Sequence, residues 1–140
     1  MAFRIAVEDD PSPDLRQAIV EQLGRFNASS GYPPDAQSLA ITVRDDADRI
    51  VGGLWGKTVY GWLFVEFLIL DAESRGRNFG AQLMSAAEEI AAKRGCVGAW
   101  LTTFSFQAQG FYEKLGYSVF AELENSPADN VRIFMRKRFA

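Results

Sequence analysis

Trp62-Leu63-Phe64-Val65-Glu66-Phe67-Leu68-Ile69-Leu70, the charged stretch Asp71 to Asn78, and then Phe79-Gly80-Ala81-Gln82-Leu83-Met84 decide the fold. In the first segment only Glu66 is polar. A run apolar on both faces belongs in the middle of a sheet, covered on both sides. From Phe79 the apolar positions Phe79, Leu83, Met84, Ala87, Ile90 and Ala91 recur at helical spacing. Glu89 and Lys93 stand one turn apart, Lys93 and Arg94 suit the negative helix end, and Gly95 suits the stop. The segment is therefore a strand, a loop and a helix.

Working outward, Val97 to Thr102 reads as a strand and Gln107 to Leu115 as a helix stopped by Gly116. Tyr117 to Leu123 and Val131 to Arg136 are two more strands around Asn125-Ser126-Pro127. Towards the N-terminus, Arg49 to Tyr60 and Leu39 to Val43 are strands joined by the polar turn Arg44 to Asp48. Leu15, Ala18, Ile19, Leu23 and Phe26 mark a helix, with Ser12 as N-cap, Pro13 in the first turn and Asp14 at the positive end. Phe3 to Val7 alternates as a first strand. The order β-α-β-β-β-α-β-α-β-β predicts an α/β fold in three layers, a mixed sheet of about seven strands with helices on both faces.

The chain has 140 residues, one ordinary domain spanning residues 1–140, with a formal charge of −3 and no histidine. The acidic balance argues against a nucleic-acid partner. The missing histidine removes His-based triads and His-ligated metals, so no metal is expected. The lone cysteine, Cys96, allows no internal disulfide. The longest apolar run falls well short of the ~20 residues of a membrane span. Without a signal-like N-terminus, a cytoplasmic setting and no membrane partner are expected.

Arg75-Gly76-Arg77-Asn78-Phe79-Gly80 is the strongest chemical signal. Backbone N–H groups at a helix start, helped by the helix dipole, bind anions. Gly76 and Gly80 let backbone approach a phosphate, and Arg75 and Arg77 add charge. An ordinary tight turn with solvated arginines fits the same spacing. Gly52-Gly53-Leu54-Trp55-Gly56-Lys57-Thr58 resembles a nucleotide-binding loop, but it is one residue short and runs into strand-like sequence. A bent, bulged strand is the better reading. Ala108 to Tyr117 is a short amphipathic helix whose Phe111 and Tyr112 could be core aromatics.

Together the two segments resemble the GNAT superfamily of acyl-CoA-dependent N-acyltransferases. Arg75 to Gly80 matches its Gln/Arg-x-x-Gly-x-Gly/Ala motif, with Leu68-Ile69-Leu70-Asp71 before it and Phe111-Tyr112-Glu113-Lys114-Leu115-Gly116-Tyr117 as the later motif. Asn78 replaces the first motif glycine; asparagine tolerates left-handed backbone and keeps its N–H. The resemblance implies acetyl-CoA as co-substrate. Its pyrophosphate would lie on the N–H groups of Arg75, Gly76, Arg77, Asn78, Phe79 and Gly80. Its pantetheine arm would pair with the backbone of Leu68, Ile69 and Leu70. Ser105 stands where many relatives carry an asparagine near the cofactor. Tyr112 matches the tyrosine that protonates the leaving thiolate.

Glu66 is the lone carboxylate of its strand, and burying it unpaired would be costly. Positions 64, 66, 68 and 70 are expected on one strand face. Some relatives carry a catalytic glutamate aligned to Phe64, so Glu66 could deprotonate the amine; a structural carboxylate is the other reading. The implied function is transfer of an acetyl group from acetyl-CoA directly to a primary amine, on a small molecule or a peptide. The alternative is a non-catalytic acyl-CoA-binding module. A homodimer is common in look-alikes.

Overall fold

The computed structural model describes all residues 1–140 and forms two compact units, Met1–Pro34 and Asp35–Ala140. In the first, α1 spans Pro13–Ser29. Ser12 is extended and its Oγ accepts the Leu15 N–H at 3.2 Å, so one of the orphan donors of the first turn is satisfied. At the other end the hydroxyls of Ser29 and Ser30 donate to the Phe26 carbonyl at 2.7 and 3.2 Å. The strand expected at Phe3–Val7 does not form. Its alternation is real, but a strand exists only through ladder partners, and no strand pairs with it.

The second unit holds β1 (Gln37–Arg44), β2 (Ile50–Val59), β3 (Trp62–Leu70), α2 (Phe79–Lys93), β4 (Gly98–Phe104), α3 (Gln109–Lys114), β5 (Ser118–Leu123) and β6 (Arg132–Arg138). They build the expected mixed α/β architecture around a six-stranded sheet in the order β1-β2-β3-β4-β6-β5. Every neighbouring pair is antiparallel except β3 with β4. That parallel pair needs a long crossover, and α2 supplies it.

The core lies between the sheet and the two helices of this unit. Leu54, Leu63, Val65, Leu101 and Met135 point at Leu83, Met84, Ala87 and Ala91 of α2, all buried. Both α2 and α3 sit on this face. Glu88 of α2 ties it to the far strands: it accepts the Tyr117 hydroxyl at 2.9 Å and pairs with Lys137 at 2.8 Å. On the opposite face Phe64 stacks on Trp100 at 4.1 Å.

A bulge in β3 overturns one expectation. Trp55 pairs with Phe67 and Gly56 with Val65, which leaves Glu66 as the extra residue. An extra residue shifts the inward–outward alternation by one. Before it Leu63 and Val65 are buried; after it Leu68 and Leu70 pack on the core while Phe67 and Ile69 are exposed. Phe64 and Leu68 therefore do not share a face. The Gly52–Thr58 segment is the interior of β2, and its glycines answer to neighbouring backbone. A Cβ on Gly56 would lie 2.5 Å from the Phe64 carbonyl oxygen.

Candidate active site

β3 and β4 pair only from Trp62↔Gly98 to Val65↔Leu101. Beyond that point β3 continues against β2 alone, Phe67↔Trp55 to Leu70↔Gly52, and β4 continues against β6 alone, Thr102↔Phe134 to Phe104↔Arg132. The two strands splay, and the backbone edges that face each other across the wedge, 66–70 and 102–104, are left without a ladder. A cavity of about 900 Å³ fills it, lined by Glu66 to Ile69, Arg75, Leu101 to Phe104, Phe106, Tyr112 and Arg132 among others.

Glu66 stands one residue past the last β3–β4 pair, at the fork of the wedge. It is half-buried and belongs to no ion pair. The cavity reaches it, so the cost of burying an unpaired carboxylate does not arise. The carboxylate is left available to a ligand.

Tyr112 enters from α3. Its ring is clamped edge-on between Phe111 and Tyr117, with centroids 5.0 and 6.1 Å away. The residue is 8% exposed, yet no buried side-chain oxygen in the molecule lacks a partner. The Tyr112 hydroxyl has no protein partner among the hydrogen bonds, so it opens onto the cavity it lines. Burial pushes the phenol above the ordinary tyrosine value. It is therefore protonated at neutral pH and able to donate.

The 71–78 loop is built to present the start of α2. Asp71 Oδ1 accepts the Ser74 N–H at 2.9 Å, and the buried Ser74 hydroxyl bonds the Val51 carbonyl at 3.2 Å. These bonds fasten the loop to β2. Gly76 (φ +77) and Asn78 (φ +64) then turn the chain through left-handed conformations. Asn78 is the N-cap, but its side chain makes no cap bond, and the first turn of α2 carries no acidic residue. The first-turn N–H groups of α2 are therefore left without a side-chain cap.

The structure separates residues that the sequence grouped. Arg75 donates through Nε to the Leu70 carbonyl at 3.1 Å and lines the wedge. Arg77 lines a different, polar hollow shared with Asp45, Asp46, Asp71 and Glu73. Gly80 is buried against α3 and not against the loop's outer face: a Cβ there would be 3.0 Å from Phe111 Cζ. Its glycine serves close packing of α2 on α3. Leu68 and Ile69 line the wedge, while Leu70 packs on Gly52 and Gly80. Ser105 does not line the wedge. Its hydroxyl donates to Asn130 Oδ1 at 3.1 Å and accepts the Val131 N–H at 2.9 Å, holding the end of β4 to the start of β6.

Phe104, Phe106 and Arg132 were missed. Arg132 comes from β6, across β4, where its Nε donates to Thr102 at 3.1 Å and its guanidinium lies over Phe104 at 5.5 Å. Only strand register brings it there, and register is not written in local spacing.

The sheet thus splays where its one parallel pair ends, with Glu66 at the fork, Tyr112 on the same cavity and the uncapped start of α2 following the 71–78 loop. The GNAT acetyltransferase family model matches residues 3–117, and the chain belongs to that family. It is 32% identical over 137 residues to acetyltransferase Atu2258 of Agrobacterium fabrum, covering 98% of this chain and all of that one. It is 39% identical over 122 residues to the blasticidin-S acetyltransferase of Streptomyces morookaense, covering 86% and 85%. A crystal structure of an Agrobacterium tumefaciens acetyltransferase superposes with a TM-score of 0.90 at 31% identity, covering 98% of this chain and all of that one. An aminoglycoside 6′-N-acetyltransferase solved with coenzyme A shares the fold, with a TM-score of 0.65 at 22% identity and 97% of each chain covered.

Proposed function

We propose that the chain moves an acetyl group from acetyl-CoA directly to a primary amine of a small molecule. The carrying observation is the wedge itself: an unpaired β3 edge, the free Tyr112 hydroxyl and the Glu66 carboxylate meet in one cavity. The residues present suit the co-substrate. The β3 edge from Glu66 to Leu70 offers backbone donors and acceptors to an extended amide-bearing arm. The Gly76-to-Gly80 turn and α2 start offer N–H groups to its phosphates, with Arg75 beside them.

Glu66 takes a proton from the incoming ammonium, which has a pKa near ~10 and cannot attack while protonated. The freed nitrogen forms its bond to the thioester carbonyl carbon, and the carbon–sulfur bond breaks. Tyr112 gives its proton to the departing thiolate, and the second proton that the newly attached nitrogen sheds returns to Tyr112 through water. Glu66 returns its proton to water. No acyl-enzyme is needed.

Glu66 is unpaired in the cavity, which favours a cationic acceptor, and the blasticidin-S acetyltransferase relative supports a small molecule over a peptide. The test is release of free CoA thiol from acetyl-CoA with a panel of small amines and, in parallel, peptides. Turnover with small amines is expected. Binding of acetyl-CoA without turnover on any amine would leave a binding module and overturn the proposal.

A further inference from the structure

We propose that the acceptor is a zwitterion, an amine that also carries a carboxylate, and that Arg132 binds the carboxylate through the free edge of its guanidinium. The inference rests on the acetyl-transfer reading and names the substrate class that the same cavity takes.

Arg132 is held by groups that do not neutralise it. Its Nε donates to Thr102 Oγ1 at 3.1 Å. The guanidinium carbon lies 5.5 Å from the Phe104 ring centroid and 5.7 Å from that of Phe134. A neutral hydroxyl and two rings fix the side chain and leave its full charge in place. Arg132 enters no ion pair, and its two terminal nitrogens bond no other group of the protein. An arginine stays charged throughout the neutral range, and those two nitrogens form a flat fork that matches the two oxygens of a carboxylate. With the side chain already fixed, little freedom is left to lose when an anion binds.

Its place in the sheet points to the acceptor and not to the co-substrate. Ile133 and Met135 of β6 are buried in the core, so alternation puts Arg132 and Phe134 on the face away from α2. The phosphates of acetyl-CoA are assigned to the α2 start, where Arg75 of the 71–78 loop stands. Arg132 pairs with Phe104, and its bond to Thr102 turns the guanidinium back along β4 towards the last β3–β4 pair, Val65↔Leu101. Glu66 follows that pair on β3 and lines the same cavity. A carboxylate and a guanidinium thus open on one cavity without pairing with each other. They suit the two poles of a zwitterion: Glu66 takes the ammonium proton while Arg132 holds the carboxylate and orients the nitrogen. Phe104 and Phe106, stacked at 5.4 Å, give the body of the acceptor an apolar wall. Arg136, two positions past Phe134, does not share this role: it lies over Phe120 and lines a separate hollow. One guanidinium balances one carboxylate, whereas a dianionic phosphate would ask for more charge.

The test measures CoA thiol release from acetyl-CoA with matched acceptors. These are α-, β-, γ- and ε-amino acids, each beside its carboxamide, and aminoalkylphosphonates of the same chain lengths. The wild type should favour at least one free acid over its carboxamide by ~10- to 100-fold in kcat/KM, as expected for hydrogen bonds between charged groups. Arg132→Gln should remove most of that ratio, chiefly by raising the acceptor KM, with the KM for acetyl-CoA within a few-fold. Arg132→Lys keeps the charge without the fork and should retain part of the ratio. An arginine that only supports the fold would lower acid and carboxamide alike and leave the ratio unchanged. The melting shift caused by acetyl-CoA checks that the variants are folded, and the wild-type ratio is a test even where neither variant folds. A wild type that prefers carboxamides or phosphonates overturns the proposal. So does a ratio that survives Arg132→Gln, or a variant in which only the acetyl-CoA KM rises. In each of these cases acetyl transfer to amines still stands. Turnover on no amine at all would instead overturn the acetyl-transfer reading, and this proposal with it.

Discussion

Tyr112 and Glu66 sit in different surroundings, and each suits the role proposed for it. Tyr112 is clamped by rings and raised in pKa by burial, a setting for a proton donor. Tyr112→Phe keeps the ring packing and removes the proton. Turnover should fall ~10- to 1,000-fold with acetyl-CoA affinity within a few-fold, in line with the ~10²–10⁴ typical of general acids and partial replacement by water. Steady-state rates and calorimetric binding would check it; unchanged turnover would reduce Tyr112 to packing. Glu66→Gln keeps shape and hydrogen bonding but not basicity. Turnover should drop at neutral pH and recover in part as pH rises and more of the amine is neutral. Normal turnover across the pH range with a lowered melting temperature would show a structural carboxylate instead.

The 71–78 loop and the α2 start act as one element, because backbone conformation decides what they present. Asn78 occupies left-handed space, which costs a β-branched residue ~1–2 kcal/mol and glycine nothing. Asn78→Gly should leave acetyl-CoA binding intact. Asn78→Val should lower the melting temperature and shrink the stabilisation by acetyl-CoA, which at ~100 times the dissociation constant is worth ~2.7 kcal/mol. Differential scanning fluorimetry with and without acetyl-CoA reads both. Gly80→Glu is the wrong probe of the phosphate site: its side chain would be driven into Phe111, so unfolding would mask lost binding.

Across the whole molecule, Glu88 holds α2 to the β5–β6 end through Tyr117 and Lys137. Burial and the adjacent carboxylate push the Tyr117 phenol well above its ordinary value. The sign follows from linkage: the folded state prefers the neutral phenol. The stability contributed is fully present below the unfolded value near ~10 and is lost as pH climbs towards the folded one. Tyr117→Phe should flatten that alkaline loss while lowering stability at neutral pH, because Glu88 loses a donor. Melting curves from pH 7 to 11 would show whether the loss persists in the variant.

Much of this was legible in local sequence. The nine-residue β3, the 79–93 helix, the Ser12 cap and the motif loop all appear where spacing places them, because caps, periodicity and turn residues act within a few positions. The family resemblance rested on the same local features. What depends on partners across the fold was not legible. Phe3 to Val7 has a strand's alternation but no ladder, since a strand is a relation between segments. The bulge at Glu66 is set by how β2 registers against β3, and it re-aims every residue after it. Strand register likewise brought Arg132 into the wedge and took the Ser105 hydroxyl for a β4–β6 clasp. Packing of α2 on α3 set Gly80 against Phe111, and the 71–78 loop carried Arg77 to a different hollow. Sequence by itself named candidate residues; the tertiary structure decided which of them face the same cavity, because one residue of register moves a side chain to the other side of a sheet.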